Sequence, residues 1–157
     1  MRLAWFAVLA VLLCLLQHGP LATWWWAPDL PLALAAWAMV DGDADGVPLR
    51  AALVGLIRDL VDPGSTCFHV LVLGGTGLGF LLLRPYLFRS RWQAWGLWAA
   101  VLTGLVSAID LVVAGPGDLR PAGIPILACG TALAAVAFGW LLGGLPGWLR
   151  PMARAGA

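Results

Sequence analysis

Lysine, glutamate and asparagine are all absent from this 157-residue chain. Every base is one of nine Arg and every acid one of eight Asp, so charged residues make up 11% and the net charge is +1. Soluble domains carry about 25% charged residues, which excludes that class, and so balanced a charge directs nothing toward nucleic acid. Cysteine is scarce as well. Cys14 and Cys129 lie inside apolar runs and Cys67 beside a run boundary, which gives no even, closely spaced disulfide framework, and they read as small buried residues. Cys67 and His69 stand two apart without the further ligands a zinc site needs. No nucleophile, His and carboxylate set resembles a catalytic triad, and neither HExxH nor a phosphate-cradling loop occurs. The expectation is a protein that is not an enzyme, with no catalytic residue, no metal and no cofactor.

What fills the chain is apolar: 62% hydrophobic residues and a mean hydropathy of +0.92. That is the composition of an integral membrane protein. Its richness in Ala, Leu, Gly and Arg looks like the product of a high-GC bacterial genome. Apolar runs between breakers cover roughly 3–17, 25–40, 47–62, 66–88, 93–115 and 122–145. We therefore expect one transmembrane domain over residues 1–157, an all-α polytopic bundle of six transmembrane helices. The first and third runs are short against the roughly 20 residues a crossing takes, so five spans with a re-entrant segment also fits. Arg2 followed by an apolar run has the look of a signal peptide, but cleavage after Ala22 would place Pro20 three residues upstream, and bulky Leu13 before Cys14 does not suit a lipoprotein. The run reads as an uncleaved first span.

Gly19-Pro20, Pro28, Pro31, Pro48 and Pro63-Gly64 punctuate the runs, while Trp24, Trp25, Trp26, Trp92, Trp95 and Trp98 sit near run ends, where indoles favour the interface. With six spans and an inside N-terminus, Arg2, Arg50, Arg84, Arg89, Arg91, Arg150 and Arg154 fall on the inner side, and Arg58 and Arg120 on the outer. Both chain ends are then cytoplasmic. The same topology brings Asp29, Asp59, Asp62, His69, Asp110, Asp118 and Arg120 toward the outer ends of their helices.

Helical spacing sorts these residues onto faces. Pro48, Ala52, Gly55, Asp59 and Asp62 form a small and acidic stripe, with Leu49, Leu53, Leu56 and Leu60 on another face. Ala99, Thr103, Ser107, Asp110 and Ala114 form a comparable polar stripe, so Asp59 and Asp110 are expected to point inward. Charges inside a bilayer are costly and carry a role by default. Three roles stand open for a cluster of Asp29, Arg58, Asp59, Asp62, His69 and Asp110: internal satisfaction that orders the bundle, docking of a partner or ligand, or proton relay. The loop DGDADG at 41–46 opens like a calcium loop, with Asp41, Asp43, Asp45 and Gly46 in register, yet Ala52 stands where the closing acid belongs. It reads as a hydrophilic turn. Gly75 with Gly79, and Gly139 with Gly143, have the spacing that lets helix backbones approach closely. Together with Gly55, they are the expected packing glycines.

From Pro28 to about Gly115 the chain resembles the bacterial rod shape-determining protein MreD family. The resemblance rests on Pro28-Asp29 entering an aliphatic span, on Gly55, Leu56, Asp59 and Leu60, and on the turn Pro63-Gly64-Ser65. A Gly-rich span ending in Arg84 and Arg89 follows, then Asp110 with Leu111, Val112 and Val113. Arg58, the Cys67-Phe68-His69 segment and the acidic loop depart from the family pattern. The resemblance implies a non-enzymatic inner-membrane component of the lateral peptidoglycan synthesis machinery that binds the single-span protein MreC. Through MreC it reaches MreB filaments, RodA and a transpeptidase. Asp59 matches the family's aspartate, which makes it the first docking or packing residue. The family is also thought similar in fold to the substrate-binding subunits of energy-coupling vitamin transporters. The alternative is accordingly a vitamin-binding subunit, with Trp24 to Trp26 stacking a heterocycle over Asp59, His69 and Asp110.

Overall fold

The computed structural model describes residues 3–24, 27–61, 68–87, 91–114 and 123–143. Within them the chain is all helical: α1 (Leu3–His18), α2 (Leu30–Asp41), α3 (Val47–Val61), α4 (Phe68–Leu87), α5 (Arg91–Ala114) and α6 (Ile124–Gly143), with a short 3-10 turn at Ala44–Gly46. Five helices start and stop within a few residues of the apolar runs. The second does not. Its run begins at 25, but Asp29 has extended backbone, its carboxylate accepts the Leu32 N–H, and Pro31 occupies the first turn. A side-chain cap followed by Pro is a stronger start signal than hydropathy, so Trp24 is left outside the helix, and Trp25 and Trp26 fall outside the described residues.

Three segments are long and apolar enough to cross a membrane: Phe68–Pro85, Trp92–Val112 and Ile124–Leu142. The other helices have 16, 12 and 15 residues. At 1.5 Å per residue these reach about 24, 18 and 22 Å, against about 30 Å of hydrocarbon.

The shortest helix is the centre of the fold. Every residue of α2 from Pro31 to Met39 is buried, and α2 touches each of the other five helices. A helix that is apolar all round belongs inside a core. The hairpin α3–α4 lies against it on one side, the hairpin α5–α6 on another, and α1 packs on α2 and α3. Trp98 joins the two hairpins to the centre: its indole N–H points at the Met39 Sδ at 2.8 Å, and its ring lies 4.8 Å from that of Phe80.

The small stripe of α3 meets α4. A Cβ at Gly55 would run into the backbone of His69 and Val70, and Gly77 sits over Ala51 and Pro48. Gly139 likewise leaves room for the Trp95 ring. Packing at Gly75 and Gly79, expected within the chain or against a partner, is not found among the described residues of the chain itself. Neither has a described neighbour within 4 Å of its Cβ position, and it is Gly74 and Gly77 that face α3. Among the described residues no close helix approach uses these two glycines, and a Gly inside a helix weakens it. Gly75→Ala and Gly79→Ala are expected to leave thermal stability in detergent unchanged or to raise it by about 0.5–1 kcal/mol each. A loss of a kcal/mol or more in the melting curve would refute this.

Candidate functional site

The last turn of α3 and the first turn of α4 meet at one carboxylate. Asp59 Oδ1 accepts the His69 backbone N–H at 3.1 Å and lies 2.8 Å from His69 Nδ1, while Oδ2 accepts the Val70 N–H at 3.0 Å. The first amides of a helix have no partner within it and carry the positive end of its dipole. Asp59 therefore caps α4 from the neighbouring helix. A carboxylate only accepts, so Nδ1 is the donor, and this fixes the ring. Its far nitrogen, Nε2, then faces Asp110 Oδ1 of α5 at 3.8 Å. The Phe68 ring meets the imidazole edge to face, 5.5 Å between centroids.

One residue back on α3, the Arg58 Nη1 donates to Asp29 Oδ2 at 2.6 Å. The other oxygen of Asp29 caps α2 at the Leu32 N–H, 3.0 Å away, and the Asp29 backbone N–H donates to Thr131 Oγ1 of α6 at 2.9 Å. Thr131 in turn donates its hydroxyl to the Leu127 carbonyl, and the Leu30 N–H donates to Gln17 Oε1 of α1. One connected patch of polar groups thus ties all six helices at one end of the bundle. Asp29, Asp59 and His69 are buried, whereas the Asp110 side chain is 32% exposed at the edge.

Of the six residues read from sequence as one cluster, the structure brings together Asp29, Arg58, Asp59, His69 and Asp110; Asp62 lies outside the described residues, as do Cys67, Asp118 and Arg120. Ser107 and Thr103, below Asp110 on α5, are buried. Three contributors escaped the sequence reading. Thr131 and Gln17 are lone polar residues in apolar runs, without a spacing to mark them. Arg84 works at the opposite end, where its Nη1 and Nη2 donate to the Gly42 and Val40 carbonyls at 3.0 and 3.2 Å and cap the end of α2. The acidic loop lies at that end too, with the Arg50 guanidinium beside Gly42 and Gly46. Among the described residues, no three His, Cys, Asp or Glu side chains gather as a metal site.

Chemically, the patch is a set of helix caps and ion pairs. Buried pairs of this kind add little net stability over apolar packing but cost about 3–5 kcal/mol when one partner is removed. They therefore specify how helices join. Compared with family models, with curated proteins and with solved structures, the chain matches none.

Proposed function

We propose that this protein is a non-enzymatic, MreD-like scaffold of the bacterial cell-elongation machinery. On this reading α1 to α6 form a six-span bundle in the inner membrane with both ends cytoplasmic, and the bundle binds an MreC-like single-span protein. Through that partner it connects to MreB filaments, RodA and a transpeptidase. One observation carries the reading: the carboxylate oxygens of Asp29 and Asp59 are committed to helix-end amides and to Arg58 and His69. A reaction centre would need such groups turned toward a substrate. Here they support a rigid frame, which is what a docking platform needs.

Asp110, partly exposed at the edge of the patch, is the side chain we assign to partner contact. Gentle detergent purification from native membranes, with mass spectrometry of proteins and small molecules, is expected to recover MreC-like and synthase polypeptides without a stoichiometric ligand. Asp110→Ala is expected to keep the melting temperature within a few degrees while lowering partner recovery several-fold. A bound heterocycle, or coupling ATPases in the eluate, would overturn the scaffold and make the chain a vitamin-binding subunit. Unchanged partner recovery with Asp110→Ala would remove Asp110 from the interface.

A further inference from the structure

One imidazole stands between two carboxylates that come from different hairpins. His69 opens α4, Asp59 belongs to α3 of the same hairpin, and Asp110 belongs to α5 of the other. With the Nδ1–H given to Asp59 at 2.8 Å, a neutral ring keeps its lone pair on Nε2. That lone pair faces Asp110 Oδ1 at 3.8 Å, a distance beyond hydrogen-bond reach. Two acceptors look at each other across the gap. One added proton changes the relation. It goes to Nε2, since an imidazole is ordinarily more basic than a carboxylate by roughly 2.6 pH units, and charge-assisted pairs of this kind close to about 2.7–2.9 Å. The ring is held by Asp59 and by the edge of Phe68, whereas the Asp110 side chain is 32% exposed. Asp110 is therefore the member that swings in.

The charges around the ring have a use for that proton. Of the helices packed against α4, α3 brings Arg58 and Asp59, α2 brings Asp29 and α5 brings Asp110. Beyond them, α1 places the buried Cys14 thiol within electrostatic range of Arg58, and the described part of α6 carries no charged residue. With the ring neutral, three carboxylates share one guanidinium among the described residues, and a surplus of like charge in a buried patch is costly. A proton on the ring reduces that surplus. We infer that His69 and Asp110 form a binding site for one proton, and that filling it fastens the α3–α4 hairpin to the α5–α6 hairpin at this end of the bundle. At the other end the same two hairpins meet through Phe80 and Trp98, a contact with no titratable group. Histidine is the side chain whose charge ordinarily changes between about pH 5 and 8, which makes the joint sensitive to acidity at one end only. Neither a partner nor the number of spans enters this geometry, so the proton site stands or falls apart from the scaffold reading.

Melting temperatures of the purified protein in mild detergent, at about pH 8 and about pH 5.5, test the site. Asp110→Ala serves as the reference at each pH, so that titrations elsewhere in the chain cancel. Stability that requires the bound proton is present at low pH and lost as pH rises. Wild type is therefore expected to match Asp110→Ala at the higher pH and to exceed it by roughly 2–4 °C at the lower. Asp110→Asn separates a proton site from a merely structural contact. Its side-chain N–H donates to a neutral Nε2 with no added proton, so this variant is expected to stay above Asp110→Ala at both pH values. A wild-type advantage that does not grow on acidification, or an Asp110→Asn profile that parallels wild type, would overturn the inference. Nitrogen NMR reads the proton itself with Asp110 untouched. The exposed His18 is the only other histidine, so His18→Gln leaves a single imidazole in protein made with isotope-labelled histidine. At about pH 8 one ring nitrogen is expected to be bare, and at about pH 5.5 both are expected to carry a proton. A nitrogen still bare at the lower pH would show that the site takes no proton.

Discussion

Asp59→Ala is expected to abolish accumulation of folded protein. The substitution removes the acceptor for two α4 amides and for the His69 ring, where Asp59 and His69 are both buried. Breaking a buried pair costs about 3–5 kcal/mol, a large fraction of the roughly 5–15 kcal/mol that holds a domain together. Fluorescence-detected size-exclusion in mild detergent would show the monodisperse peak lost or its melting temperature sharply lowered. Asp59→Asn retains one acceptor oxygen and is expected to fall between wild type and Asp59→Ala. The contrast with Asp110→Ala is the decisive feature: two aspartates flank one imidazole, but the half-buried one stands off at 3.8 Å and accepts no helix amide through that contact, so its loss is expected to cost less. Equal losses at both positions would mean that the cap geometry has no energetic weight.

Gly55→Val is expected to be nearly as damaging, for a reason unrelated to charge. The new Cβ would overlap the His69 carbonyl and the Val70 Cα, and backbone cannot rotate out of the way as a side chain can. Overpacking costs about 1–3 kcal/mol where neighbours can shift, and more is expected here because α4 must move as a unit. Gly55 lies one turn below Asp59 on the same face, so displacing α4 also pulls His69 and Val70 from the carboxylate. The two substitutions attack one joint, and their effects are expected to be strongly less than additive in a double-mutant cycle. Additive losses would show that the close approach and the cap act separately. Gly77→Ala, which meets Ala51 and Pro48 at 3.1–3.2 Å, is expected to cost about 1 kcal/mol.

Hydropathy and breakers located α1 and α3 to α6 because each run is bounded by Pro, Gly or charge. They misplaced the start of α2, where apolar Trp24 to Ala27 continue a pattern that the Asp29 cap interrupts. Nor could they show which helix is central. α2 and α6 are both rich in Ala and Leu, yet one is covered on every face and the other is fully buried only along Thr131, Ala135 and Gly139, a difference of neighbours and not of composition. The glycines divide on the same principle. Gly55 could be placed inward because Asp59 shares its face, whereas Gly75 and Gly79 are singled out by their mutual spacing alone, although the inward face of α4 runs from His69 through Leu73, Gly77 and Phe80, all buried. Alternating the helix direction was enough to gather Asp29, Arg58, Asp59, His69 and Asp110 at one end. The pairing within that group, and the contributions of Thr131, Gln17 and Arg84, depend on backbone amides and carbonyls that no side-chain pattern reveals.

The burial of α2 has a consequence for biosynthesis. Chains are made from the N-terminus, so α2 leaves the ribosome before four of its five neighbouring helices exist. At 12 residues it is a poor stop for the insertion machinery, and its capping Asp29 waits for Arg58, which is made 29 residues later. On the membrane reading proposed above, the nascent protein holds its future core in a provisional place until the two later hairpins arrive and enclose it.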